Sequence, residues 1–227
     1  MAAGGTGIVN DRLHQLAWQF NIAPSSYCHA DWLPDGLKQQ AAGRDSLPLS
    51  RMHRYLSPWL LGEHGLTESF HFDFDQPMTR VALFGSSALQ KILCLLGLLR
   101  HRDALRRTVE RATLAEIGRA AGAEEVRLVR ESQADLPLMM HTEGEWNARR
   151  PDLRIALWSE GLGLFQAIMP VSSPALTKRL NLKLPRAVSV QSTRIDVLAR
   201  ADRQAIRQWL LERAVPKVEP TWASLLS

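Results

Sequence analysis

The run Ile92-Leu-Cys-Leu-Leu-Gly-Leu-Leu99 constrains this chain more than any other feature, because it is apolar on every side. Ser86 or Ser87 supplies an N-cap ahead of it, and Leu89, Ile92, Leu93, Leu96 and Leu99 recur at helical spacing. A helix with no face to give to water must be central, so the rest of the chain has to wrap it. It is too short for a membrane span, which needs about 20 apolar residues. The uncharged stretch 161–177 is broken by Pro170 and Pro174. Across 227 residues, 45% hydrophobic and 22% charged content is an ordinary globular balance, enough for one substantial core.

The flanking sequence predicts more helices. Asn10 caps a first one, with Leu13, Leu16, Ala17 and Phe20 on one face and Pro24 at its end. Residues 35–50 are polar and aperiodic, a connector, and Met52 to Trp59 is a short helix disturbed by Pro58. Asp103 caps a helix through Arg111, and Thr113 with Glu116 has capping-box spacing for another that closes near Gly122. Glu124 to Arg130 continues helical, and Leu136 to Pro151 is a second irregular connector. Leu153 to Ile168 is a long helix stopped by Pro170. Ser173-Pro174 is an N-cap followed by a first-turn proline, with Pro185 limiting that helix. Val188 to Val190 is extended, and Asp202 caps a last helix with Ile206, Trp209 and Leu210 inward, ended by Pro216. One segment departs from this pattern: Phe70, Phe72 and Phe74 alternate with His71, Asp73 and Asp75 at a period of two. The expected architecture is all-α, a single helical domain over 1–227, with 1–9 a frayed terminus and a minor extended element near 69–75.

Catalytic chemistry finds little footing in the residues. Gly4-Gly-Thr-Gly7 has no strand before it to shape a phosphate loop. His101-Arg-Asp103 spells the start of a kinase catalytic loop, but neither the later asparagine nor an Asp-Phe-Gly segment follows. Gly85-Ser-Ser87 lacks the second glycine of a nucleophile elbow. His71, Asp73 and Asp75 share one face of a strand, yet the outer two would stand roughly 13 Å apart, too far for one metal ion. Cys28 and Cys94 stand alone among apolar residues and fit small buried hydrophobes of a reducing compartment. The start of the chain has neither the basic nor the apolar region of a secretory signal.

Charge points to partners. The net charge is +5, and 23 of the 28 basic residues are arginine, interleaved with acidic residues along the chain. Arg100, Arg107 and Arg111 are read as sharing one helical face: a solvated face, an acidic protein's contact, or a nucleic-acid track. Lys178-Arg-Leu-Asn-Leu-Lys-Leu-Pro185 alternates basic with apolar residues. Its leucines are expected to anchor inward while Lys178, Arg179 and Lys183 face outward, complementing a helix terminus or meeting an acidic partner.

Three stretches in order carry a family resemblance. They are Phe20-Asn-Ile-Ala-Pro-Ser-Ser-Tyr-Cys-His-Ala-Asp-Trp-Leu-Pro34, then Leu93-Cys-Leu-Leu-Gly-Leu-Leu-Arg-His101 with Ala104-Leu-Arg-Arg107, then Gly161-Leu162 through Ala167-Ile-Met-Pro170 to Lys178–Pro185. Together they resemble the SctK/YscK proteins of bacterial type III secretion systems; residues 1–19, 35–80 and 113–150 do not follow the pattern. The resemblance implies a cytoplasmic, helical, non-enzymatic accessory protein of the injectisome sorting platform, at the cytoplasmic face of the inner membrane. It implies an adaptor between the cytoplasmic domain of the ring protein SctD and the pod protein SctQ. Beyond the pods lie the stator SctL and the ATPase SctN. Cofactors, nucleic acid and membrane insertion are not implied.

Overall fold

The structure is a computed structural model and describes residues 5–42, 49–132, 147–170, 173–192, 195 and 198–226. Among the described residues every regular element is helical. The chain forms two compact units: Met1–Ser86 with Pro170–Arg186 and Ser224–Ser227, and Ser87–Met169 with Ala187–Ala223.

In the first unit, α1 (Gly5–Ile22) begins at the glycines expected to fray, so Asn10 lies within it rather than capping it. Its inner face is Ala17, Phe20 and Asn21. Half of the expected connector is helix α2 (Asp35–Ala42), its last two residues open the next helix, and 43–48 lie outside the described residues. Helix α3 (Leu49–Glu63) contains Pro58 instead of being broken by it. Pro58 and Arg54 are both exposed, where water can take the carbonyl that proline leaves unpaired. The helix ends on Gly65, whose φ of 58° is a left-handed conformation that favours glycine. Leu66 N–H then reaches back to Leu61 O at 2.7 Å, and Leu66 is fully buried. A short α4 (Pro77–Arg80) follows.

The extended element expected near 69–75 forms no strand, and the alternation misled about which side chains are buried, for a physical reason. His71 and Phe74 are the buried side chains, while Phe70 and Phe72 are exposed. The side chain of Asn21 takes the place of a neighbouring strand: its amide donates to His71 O at 2.6 Å and its oxygen accepts from His71 N–H at 2.8 Å. A single side-chain amide satisfies the N–H and C=O of one residue and propagates no ladder.

The second unit is built around α5 (Ser86–Arg100), in which Ile92 to Leu99 are all buried. The short α6 (Arg102–Arg107) ends where Thr108 Oγ1 bonds Ala104 O at 2.8 Å, before Arg111 is reached. Helix α7 (Arg111–Ala121) starts two residues ahead of the expected Thr113, with Glu110 as its N-cap; Thr113 donates to Glu110 at 2.6 Å. Gly122, at φ 101°, separates it from α8 (Ala123–Glu131). Most of the connector expected at 136–151 lies outside the described residues. Helix α9 (Leu153–Ile168) packs on α5 through two glycines. A Cβ on Gly97 would stand 2.2 Å from Leu157 O, and one on Gly161 would stand 1.8 Å from Leu93 O. Both obstacles are backbone atoms, so only glycine permits this approach.

Helix α10 (Pro174–Leu182) returns to the first unit, its N-cap Ser173 accepting from Leu176 N–H as the sequence predicts. Residues 188–190, expected to be extended, lie in α11 (Arg186–Gln191). Helix α12 (Arg200–Trp209) begins two residues before Asp202, which sits in its first turn, and buries Ile206 and Trp209. Pro216 does not end this helix. The turn Leu210–Ala214 widens so that Val215 N–H bonds Leu210 O, and α13 (Val215–Val218) follows. Widening relieves the clash of a proline ring with the carbonyl four residues back. A final short helix is α14 (Ala223–Leu226).

Candidate protein-binding surfaces

The basic residues singled out by sequence divide sharply. Arg179 and Lys183, expected to face outward, are among the most buried side chains, at 0% and 2% exposure. Both lie on the inner side of α10 and its C-terminal turn, with Leu176 and Leu180. Arg179 donates to Asn21 O at 3.1 Å and to Ala175 O and Leu66 O at 3.4 Å. Lys183 Nζ donates to Ala82 O at 2.8 Å and Phe84 O at 2.7 Å, and lies 5.1 Å from the Phe20 ring and 4.9 Å from the Tyr27 ring. Phe20 and Tyr27 themselves stack at 5.6 Å.

Carbonyl oxygens and π faces hold these cations, and neither makes a salt bridge to a described carboxylate. Desolvation dominates in consequence. Burial lowers the Arg179 pKa and brings that of Lys183 down from 10.5 to about 7. Burial also pushes the Tyr27 hydroxyl well above its usual range. The two cations are core components, not contact residues.

Lys178 is exposed as expected, its Nζ donating to His64 O at 3.1 Å at the end of α3. Arg100, Arg107 and Arg111 do not share a helix: they fall on the last turns of α5 and α6 and the first residue of α7. Arg107 and Arg111 are exposed and Arg100 half-buried. The continuous helical face they were expected to form is therefore absent.

Two surfaces went unnoticed in the sequence. Arg200, Arg203 and Arg207 stand at i, i+3 and i+7 on α12 and, with Gln204, line an open cleft. Arg207 Nε donates to Ile168 O, and burial followed by repulsion from Arg203 lowers its pKa. The spacing was visible in the sequence, where only the opposite, apolar side of the helix drew notice. The second surface is the outer side of 68–75, where Glu68, Phe70, Phe72, Asp73 and Asp75 are exposed. The alternation alone did not reveal that Phe70 and Phe72 face outward while His71 and Phe74 are buried.

The remaining polar clusters are structural in character. His101 and Glu160 pair between α5 and α9, and Arg154 donates to Ala120 O and Arg119 O at 2.8 Å, closing the end of α7. Burial raises the thiol pKa of Cys28 to about 11 and of Cys94 to about 12, far from the thiolate a nucleophile needs. His71 points inward while Asp73 and Asp75 point out, so the strand-face ligand set is not assembled. Among the described residues no three His, Cys, Asp or Glu side chains gather as a metal ion would require.

A family model described as YOP proteins translocation protein K (YscK) matches residues 15–227. The chain belongs to the YscK family. That is a type III secretion family, as the three motifs implied, and the match runs through 35–80 and 113–150 as well. The chain is 28% identical over 223 residues to the Yop proteins translocation protein K of Yersinia enterocolitica, covering 92% of this chain and 96% of that one. It is 27% identical over 221 residues to the protein of that name from Yersinia pseudotuberculosis, with the same coverage. No solved structure matches. No described helix is long and apolar enough to cross a membrane.

Proposed function

We propose that this chain is a cytoplasmic adaptor of a type III secretion sorting platform, at the inner face of the inner membrane. It links the cytoplasmic domain of an SctD-like ring protein to an SctQ-like pod protein, and through the pods reaches SctL and the SctN ATPase. The observation that carries this reading is YscK membership over 15–227. The physical character of the surfaces supports it. A bridging protein needs two surfaces of different chemistry, and the described residues offer an arginine ridge on α12 in the second unit and an acidic, aromatic strip at 68–75 in the first. The chain itself is read as non-enzymatic, with chemistry left to the ATPase. A nucleic-acid role rested on one basic face formed by Arg100, Arg107 and Arg111, and those residues are dispersed over three helices.

Co-expression with the SctD cytoplasmic domain and the SctQ homologue encoded nearby tests the reading. The expected result is capture of each alone and a ternary complex when both are present. Capture of neither overturns the adaptor role, and mutually exclusive capture overturns the bridge. A second arm reverses charge on the ridge, Arg200→Glu with Arg203→Glu, and is expected to weaken capture of one partner only.

A further inference from the structure

The acidic, aromatic strip has features that specify what would cover it. Phe70 is 46% and Phe72 58% exposed. Their rings stack at 6.1 Å with 28° between planes, and the Arg179 guanidinium lies 5.8 Å from the Phe70 centroid. Removing apolar surface from water is favourable, so two neighbouring rings left in water are a standing gain for whatever covers them. The strip is also held in shape. Asn21 grips the His71 peptide on one edge, and Phe74 is anchored edge-on to Phe20 at 5.8 Å.

In an extended chain, successive peptide groups point to opposite sides. The N–H and C=O of Phe70 and the N–H of Phe72 therefore point away from Asn21 with no partner among the described residues, and the free edge ends there, because Phe74 N–H bonds Phe72 O at 3.1 Å in a tight turn at Asp73. Glu68, Asp73 and Asp75 are exposed and make no ion pair with a described residue. Burial lowers the pKa of His71, so that ring does not offset their charge. Two guanidinium groups also lie at the strip, Arg179 beside Phe70 and Arg80 donating to Phe74 O at 2.8 Å and Asp75 O at 3.0 Å, and the three exposed carboxylates outnumber them in a chain of net charge +5.

We propose that residues 68–75 are a docking strip for an extended, cationic segment of another protein, which adds its backbone along the free edge of Phe70 and Phe72. Its apolar side chains cover the two rings, and its lysine or arginine side chains meet Glu68, Asp73 and Asp75. This goes beyond the adaptor reading, because it holds for whichever protein supplies the segment. A helical partner would leave the free peptide groups unpaired, and an acidic one would be repelled.

A displayed library of random peptides, selected on the full chain and counter-selected on two variants, tests the proposal. Phe72→Ser removes an exposed ring. Asp73→Asn with Asp75→Asn removes charge while keeping the oxygen that accepts Asp75 N–H at 3.4 Å. Matching circular dichroism and melting establish that both variants are folded. The expected result is peptides alternating Lys or Arg with apolar residues, bound about tenfold more weakly by either variant, with slowed amide exchange at Phe70 and Phe72. Selection of acidic or unpatterned peptides, equal binding to the variants, or protection confined to other segments would overturn it. So would dimerisation of the chain alone that Phe72→Ser abolishes, since the occupant would then be a second copy. Failure to capture SctD or SctQ homologues bears on the adaptor reading and leaves this result standing.

Discussion

The first unit takes two cations, Arg179 and Lys183, into its core and leaves aromatic rings in water, whereas the second buries one arginine, Arg102, and brings helix backbones together through glycine. Arg179 and Lys183 are buried among carbonyls and rings in one. Gly97 and Gly161 set the approach of α5 to α9 in the other. Exposed large aromatics among the described residues, Trp18, Tyr55, Trp59, Phe70 and Phe72, all belong to the first unit. The difference teaches that polarity reports position only where the backbone nearby is satisfied. Lys183 faces Ala82 O and Phe84 O at the end of a helical turn, acceptors that an apolar side chain would leave unpaired.

Reversal of both buried cations should have the largest effect. A carboxylate at 179 or 183 would confront carbonyl oxygens now accepting hydrogen bonds, and an uncompensated buried charge costs about 3–5 kcal/mol. Arg179→Glu with Lys183→Glu is expected to unfold the first unit, measured by lost amide-exchange protection in 11–38 and 174–184. A melting temperature near that of the parent would refute the core role and restore the outward orientation that the sequence pattern suggested.

Gly161→Val comes next and strikes the second unit. Its Cβ would overlap Leu93 O, and a helix backbone yields less readily than a side-chain tip. Forcing the pair apart should cost about 1–3 kcal/mol. Thermal unfolding with exchange read separately in the two units checks this. Loss of protection confined to 11–84 would show that the glycine contact does not govern the second unit.

The helical character and the central helix were legible in the sequence because both follow from local rules. The run from Ile92 to Leu99 had to be buried, and Ser173-Pro174 had to start a helix. What was not legible depended on distant partners. Nothing near Lys183 in sequence announces Ala82, Phe84, Phe20 and Tyr27, so a basic residue at a helix end was assigned to solvent. Likewise, nothing near His71 announces that Asn21 would occupy the strand partner's place. The arginine ridge on α12 is a different kind of omission, since its spacing was open to inspection.

A smaller effect separates the units by pH. Lys183 in the unfolded chain holds its proton to about 10.5, and in the folded chain to about 7. Between those values the unfolded state binds more protons, so stability rises with pH through this window; below pH 7 the cost of burying the charge is fully present. The slope is at most about 1.4 kcal/mol per pH unit, giving a gain of about 2 kcal/mol from pH 7 to 9. Above that range the raised pKa values of Tyr27 and Cys28 act in the opposite direction, because their unfolded forms release protons first. Lys183→Met retains those groups, so the difference between parent and variant isolates the lysine. Parallel stability–pH curves would show that the amine is solvated in the folded state.

The smallest effect compares two exposed cations doing the same task in the two units. Arg154 closes the end of α7 with two hydrogen bonds at 2.8 Å, to Ala120 O and Arg119 O, while Lys178 reaches only His64 O, at 3.1 Å, at the end of α3. A planar guanidinium serves two carbonyls at once, whereas an ammonium on a flexible stem makes a weaker, rotating contact. Both sit near helix C-termini, where a positive charge is favourable by about 0.3–1 kcal/mol at low salt. Gly65 already terminates α3 through the Leu66–Leu61 hydrogen bond, leaving Lys178 little to add. The end of α7 also has a backbone closure, Gly122 N–H to Gly118 O at 2.8 Å, but the carbonyls of Arg119 and Ala120 lose their arginine when it is truncated. Arg154→Ala is therefore expected to lower stability by about 0.5–1.5 kcal/mol and Lys178→Ala by less than about 0.5 kcal/mol. Chemical denaturation of the two single variants measures both. Equal losses in both variants would mean that charge at the helix end, not the number of carbonyls satisfied, sets the contribution of these surface cations.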